Sequence, residues 1–124
     1  MSKFLLLESK NSPRICFDPN NNDFEISGRS FPENAERFYE GALDWINNYT
    51  AESDSKIEVN FMLQYVSSSS VICVLQILKA FEDLKGRGGD VSIHWKHQSD
   101  DEDILATGED LASLTNLDFE YSTF

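Results

Sequence analysis

Apolar and polar positions recur along this chain in two rhythms, period two and period about 3.6, and the switches between them divide it into strands and helices. Residues 4–7 and 14–17 are short apolar runs of strand length, and Asp18-Pro19-Asn20-Asn21-Asn22-Asp23 ahead of Phe24-Glu25-Ile26 is dense in turn formers. This predicts a β-hairpin. Ser30-Phe31-Pro32-Glu33 then reads as a Ser-x-x-Glu capping box with proline in the first turn, where its missing N–H has no helical partner to lose. The first helix is expected to start there, turning Phe38, Ala42, Trp45, Ile46 and Tyr49 toward a sheet and Glu36, Glu40, Asp44 and Asn48 toward water.

From Lys56 to Val66 the rhythm is two: Ile57, Val59, Phe61, Leu63 and Tyr65 project one way and Glu58, Asn60, Met62 and Gln64 the other. Beyond Ser67-Ser68-Ser69-Ser70, the residues Val71, Val74, Leu75, Leu78, Phe81 and Leu84 recur at helical spacing, and Gly86-Arg87-Gly88-Gly89 supplies a helix stop. Val91, Ile93 and Trp95 form another alternating strand. Ser99-Asp100-Asp101-Glu102 makes a second capping box that opens a third helix, and Leu117, Phe119 and Tyr121 close the chain as a strand. Helices between successive strands call for crossover connections, so the expected fold is α/β: one domain over residues 1–124, with a mixed, mostly parallel sheet and helices mainly on one face.

Charge narrows the partners. With 22 acidic and 10 basic side chains the 124-residue chain carries a formal charge of −12, which repels phosphate backbones and anionic lipid; neither nucleic acid nor membrane is expected as a partner. The apolar run Phe4-Leu5-Leu6-Leu7 is too short for a signal-peptide core, which points to a cytoplasmic protein. Val59 to Leu78 lacks formal charge over a membrane-spanning length, but Asn60, Gln64, Gln76 and the four serines make a strand, a loop and a helix the better account. Cys16 and Cys73, among apolar neighbours and without Cys-x-x-Cys spacing, read as buried, reduced thiols.

The serine run is the most informative local feature, because it joins the best strand to the start of an amphipathic helix. One account is ordinary N-capping, in which serine oxygens satisfy the N–H groups of the first turn. The other is a phosphate acceptor: a hydroxyl there is exposed, and a phosphate would meet those N–H groups and the positive end of the helix dipole. A small hydrolase or transferase using one of these serines with His94 or His97 as base is a third option, disfavoured by the absence of a Gly-x-Ser-x-Gly elbow, and a constitutive protein-binding adaptor without covalent control is a fourth. His94 and His97 stand at an odd spacing, which turns them to opposite strand faces and disfavours a shared metal. Asp100-Asp101-Glu102-Asp103 lacks calcium-loop spacing and suits a hydrated helix start. No Lys-Ser/Thr pair follows the glycines at 86, 88 and 89, so they make a poor phosphate cradle, and no cofactor is expected. Between Gln98 and Phe124 there are eight acids and no base, while Lys79, Lys85 and Arg87 cluster toward the end of the second helix; such a one-signed flank favours basic partners.

From about Pro13 to Tyr121 the chain also resembles a known family. Phe31-Pro32-Glu33-Asn34 with Phe38-Tyr39 and Trp45, then Leu63-x-Tyr65 leading into Ser68-Ser69-Ser70-Val71, then a glycine at 88 or 89, Trp95, Asp100-Asp101-Glu102 and Gly108-Glu109 follow the order and spacing of the SiaC family of bacterial regulatory phosphoproteins. The resemblance implies a STAS-like fold, akin to anti-sigma-factor antagonists, and no enzymatic activity. It further implies a serine/threonine kinase of histidine-kinase-like ATPase fold that modifies this loop, a metal-dependent PP2C-type phosphatase that reverses it, and an output partner such as a diguanylate cyclase. The family pattern Asn-Thr-Ser-Ser sets Ser68 against the acceptor threonine, leaving Ser67 and Ser69 as alternative acceptors, and makes Tyr65, Ser67, Ser69, Ser70 and Ile72 the partner-binding positions. Ile72 stands where a lysine is common, and Lys96-His97-Gln98 replaces an aromatic and acidic stretch.

Overall fold

In the computed structural model, which describes residues 3–50 and 55–124, the elements run β1 (Phe4–Leu6), β2 (Arg14–Asp18), β3 (Asp23–Ser30), α1 (Ala35–Asn48), β4 (Lys56–Val66), α2 (Ser68–Gly86), β5 (Asp90–His97), α3 (Glu102–Ser113) and β6 (Asp118–Thr123). Met1 and Ser2 lie outside the described residues. The six strands lie side by side in chain order. β1, β2 and β3 are antiparallel, the last two joined through a single 3-10 turn at Pro19–Asn21, whereas β3 to β6 are parallel. Each parallel step carries one helix. Because every step moves in the same direction, crossovers of one hand lay all three helices on the same face of the sheet.

Register shows that face. Ile15, Phe17, Phe24, Ile26, Ile57, Val59, Phe61, Leu63, Val91, Ile93 and Trp95 align across neighbouring strands and are all buried. The intervening residues Glu25, Ser27, Glu58, Asn60, Met62, Ser92, His94 and Lys96 form the opposite face, half-buried or exposed, as a sheet covered on one side requires. The core is anchored by aromatic contacts of Phe17, whose ring centroid lies 5.4 Å from that of Trp45 on α1 and 5.5 Å from that of Phe81 on α2. α2 is the most deeply set helix, burying Cys73, Val74, Ile77, Leu78, Ala80, Phe81 and Leu84.

Five sequence expectations shift. The first capping box does not form: Ser30 remains in β3, opposite Val66 of the parallel ladder, and Asn34 caps α1 by accepting the Arg37 N–H at 3.1 Å. Asparagine caps as well as serine, so the ladder decides. The second capping box does not form either: Asp101 rather than Ser99 is the cap of α3 and takes the Ile104 N–H at 3.0 Å. On α1 the side chain most fully buried near the start is Tyr39, while Phe38 is half-buried. Finally, the alternation of β4 breaks at its end. Gly28 pairs with Leu63 but Arg29 pairs with Tyr65, so Gln64 is an extra residue in a bulge and Tyr65 emerges to solvent instead of joining the core face. Leu7, too, lies past the end of β1 and is exposed.

Candidate functional site

The serine run sits where three elements end together: the carboxyl ends of β3 and β4 and the amino end of α2. Ser67 is the N-cap. Its backbone is extended (φ −74°, ψ 163°), its hydroxyl accepts the Ser70 N–H at 3.2 Å, and its carbonyl accepts the Val71 N–H at 2.9 Å. The Ser67 N–H in turn donates to the Ser30 carbonyl at 2.9 Å, which ties the loop to the end of β3.

The four hydroxyls have different fates. Ser70 is wholly buried; its Oγ lies 3.1 Å from Ser67 Oγ and 2.8 Å from Ser30 Oγ, and Ser30 is 2.6 Å from the Tyr39 hydroxyl. This is a continuous hydroxyl chain from the loop into α1. Burial pushes the Tyr39 phenol up to about 12, against the opposing effect of its Ser30 hydrogen bond, so the phenol stays protonated and able to donate. Ser70 therefore has no surface to offer a kinase or a partner, and its place among the sequence-derived binding positions is corrected to a structural one. Ser67 is half-buried and occupied as a cap. Ser68 and Ser69 are exposed. Ser69 Oγ approaches Ser67 Oγ at 3.3 Å, whereas the Ser68 hydroxyl makes no hydrogen bond among the described residues. A group added to the Ser68 hydroxyl thus breaks no hydrogen bond seen among the described residues.

Around these hydroxyls the surface is apolar. Phe31, Tyr65 and Ile72 are 43%, 52% and 62% exposed, and the Phe31 and Tyr65 rings meet edge to face with centroids 5.7 Å apart. One hollow of about 360 Å³ opens beside Ser69 and Ile72 between Glu33 and Glu36; a second, of about 240 Å³, opens beside Tyr65 and Val66 against Asp101, Asp103 and Thr107 of the α3 start. The structure thus gathers Tyr65, Ser67, Ser69 and Ile72 at one end of the fold. It adds Phe31 and the two acidic rims, which strand and helix periodicity do not single out because Phe31 falls between elements.

The other candidates lie elsewhere. Neither histidine bonds to a serine of the run: His94 is on the open sheet face with Glu58 and Ser122, and His97 Nδ1 lies 2.9 Å from the Gln98 carbonyl oxygen. The hydrolase constellation with Ser67–Ser70 is therefore not assembled. Among the described residues no group of His, Cys, Asp and Glu is placed to hold a metal ion, and the acids at 100–103 serve the start of α3. Both cysteines are buried and unbridged, with burial raising each thiol pKa. Cys16 is on the open face rather than in the core, its Sγ 3.6 Å from Asp23 Oδ2. Among the described residues no helix is long and apolar enough to cross a membrane.

Comparison with known proteins agrees with the resemblance. A family model described as SiaC family regulatory phosphoprotein matches residues 6–124. An uncharacterised protein of Pseudomonas aeruginosa strain UCBPP-PA14 is 24% identical over 110 residues, covering 89% of this chain and 87% of that one. The structure of SiaC of Pseudomonas aeruginosa superposes with a TM-score of 0.87 at 22% identity over the whole of both chains. A chain from the crystal structure of diguanylate cyclase SiaD in complex with its activator SiaC, from the same species, gives 0.86 at 21% identity over 98% of this chain and 99% of that one. At these identities the likeness to the solved structures is one of fold.

Proposed function

The chain belongs to the SiaC family of regulatory phosphoproteins, with a regulatory rather than a catalytic role, and from that premise we propose that it is a phosphorylation-controlled partner switch acting through Ser68. A serine/threonine kinase of histidine-kinase-like ATPase fold esterifies the Ser68 hydroxyl, a PP2C-type phosphatase removes the phosphate, and the unmodified form docks on and activates an output protein. A diguanylate cyclase is the proposed output, since the similar SiaC is described as the activator of one. The observation that carries this reading is the division of labour among the serines: Ser67 and Ser70 are bound into the fold, while Ser68 is exposed and unbonded among the described residues, beside an exposed apolar surface.

Magnitudes favour a switch in binding over a switch in fold. A phosphate adds about −1.5 to −2 charge, and its interaction with an exposed helix amino end is worth roughly 0.3–1 kcal/mol, so the domain tolerates it. Docking a partner on Phe31, Tyr65 and Ile72 would strip water from that same phosphate, and an unfavourable charge placement at an interface costs several kcal/mol, against about 1.4 kcal/mol for each tenfold in affinity. The test is incubation of the full chain with the cognate kinase and ATP, followed by intact-mass analysis and peptide mapping, together with cyclase binding to wild type, Ser68→Ala and Ser68→Asp. One phosphate on Ser68 and loss of binding only in Ser68→Asp are expected. A phosphate outside residues 67–70, or equal binding by all three, overturns the reading.

A further inference from the structure

The open face of the sheet carries a constellation that the docking surface does not use. Glu58 on β4, His94 on β5 and Ser122 on β6 come from three adjacent parallel strands: His94 Nε2 lies 2.8 Å from Ser122 Oγ, and His94 Nδ1 lies 3.3 Å from Glu58 Oε1. With the ring proton on Nδ1, the imidazole donates to the Glu58 carboxylate and its Nε2 lone pair accepts from the Ser122 hydroxyl. A base fixed by a third group and bonded to a hydroxyl is the arrangement that makes a serine nucleophilic. Lys96 is the register partner of Ser122 and Glu120 that of His94, so one cation and one further carboxylate share this part of the face. Helices do not cover this face, and His94 and Ser122 are half-buried with Glu58 exposed, so a small molecule reaches them from solvent.

We propose that Ser122 is an acyl-acceptor site, a second modification point on this regulatory protein, taking an acyl group from a small activated donor such as an aryl ester or an acyl phosphate. Ser122 Oγ attacks the carbonyl carbon as its proton passes to His94 Nε2; the bond from that carbon to the leaving oxygen breaks, and the leaving phenolate or phosphate takes the proton from His94. The products are the Ser122 ester and the protonated leaving group, with His94 returned to its starting form. The hollows flanking the serine run are lined by none of Glu58, His94 and Ser122. With Glu58 exposed and no helix over this face, self-acylation of Ser122 is the reaction proposed.

The experiment treats the full chain with p-nitrophenyl acetate at neutral pH, quenches at intervals and maps acetyl groups by tandem mass spectrometry. Ser122 is expected to be acetylated at least tenfold faster than exposed Ser68 and Ser113 in the same sample, and to fall to their rate in His94→Ala and His94→Gln. Glu58→Gln is expected to slow Ser122 several-fold. If wild-type Ser122 reacts no faster than Ser68 and Ser113, or reacts as fast without His94, the proposal is overturned. The internal comparison within wild type decides the matter even where a variant fails to fold.

Discussion

Ser70 Oγ and Ser30 Oγ, 40 positions apart in sequence, meet at 2.8 Å inside the protein, and this one bond joins the amino end of α2 to the end of β3 and, through Tyr39, to α1. A negative charge introduced at adjacent positions of the loop therefore has opposite outcomes. Ser68→Asp places a carboxylate in an exposed first turn and is expected to change stability by no more than about 0.5 kcal/mol. Ser70→Asp buries one among hydroxyls and apolar side chains and should cost several kcal/mol, or abolish folding. Chemical denaturation of the two variants beside wild type checks the contrast; equal stability would mean Ser70 is not enclosed.

Tyr39 links this network to alkaline stability. Its phenol is raised from 10.0 to about 12 in the folded chain by burial, so the folded state holds a proton that the unfolded chain releases earlier. The stabilisation is fully present below pH 10 and is lost as pH climbs toward 12. A shift of that size corresponds to about 2–3 kcal/mol. Tyr39→Phe should lose roughly 1 kcal/mol at neutral pH with the Ser30 hydrogen bond, and then show a shallower decline above pH 10. The raised thiols of Cys16 and Cys73 keep part of the slope. Urea midpoints measured from pH 7 to 11.5 would sink this account if both proteins declined in parallel.

Gly108 on α3 lies against the pyrrole part of the Trp95 indole, whose N–H donates to the Ile104 carbonyl at 2.9 Å. A Cβ at position 108 would overlap the indole ring, so Gly108→Ala forces α3 off the sheet or Trp95 off its rotamer. A loss of about 1–3 kcal/mol is expected even though alanine is the better helix former, with a changed near-ultraviolet circular dichroism signal from the displaced indole. An unchanged or raised melting temperature would contradict the contact.

Arg87, just past the end of α2, donates through Nη2 to the Ile46 and Tyr49 carbonyl oxygens at 3.3 and 3.2 Å, supplying donors at the carboxyl end of α1. Arg87→Ala should destabilise by about 1 kcal/mol, and Arg87→Lys, with a single ammonium in place of the planar fork, should recover only part of it. Hydrogen exchange at the last turn of α1 provides the local readout; protection there unaffected by Arg87→Ala would refute the capping role.

Sequence periodicity alone determined the order of strands and helices, the apolar face of β4 as far as Leu63, the start of α2 at the serines and the parallel crossovers, because each depends on spacing along one element and on the short reach of its caps. The motifs also identified the family and directed attention to the serine run. What they did not determine rests on contacts between segments distant in the chain. Ser30 and Ser99 carry good capping patterns, but parallel pairing to β4 holds Ser30 in its strand, and the seat of Ile104 and Gly108 against Trp95 accompanies a cap at Asp101. Which of four consecutive serines faces outward, that His94 meets Ser122 and not that run, and that a bulge at Gln64 turns Tyr65 to solvent were fixed only when the strands assembled in three dimensions. Hydroxyl side chains are nearly interchangeable in local propensity, so their roles are assigned by burial and by the partners that tertiary packing brings within hydrogen-bonding distance.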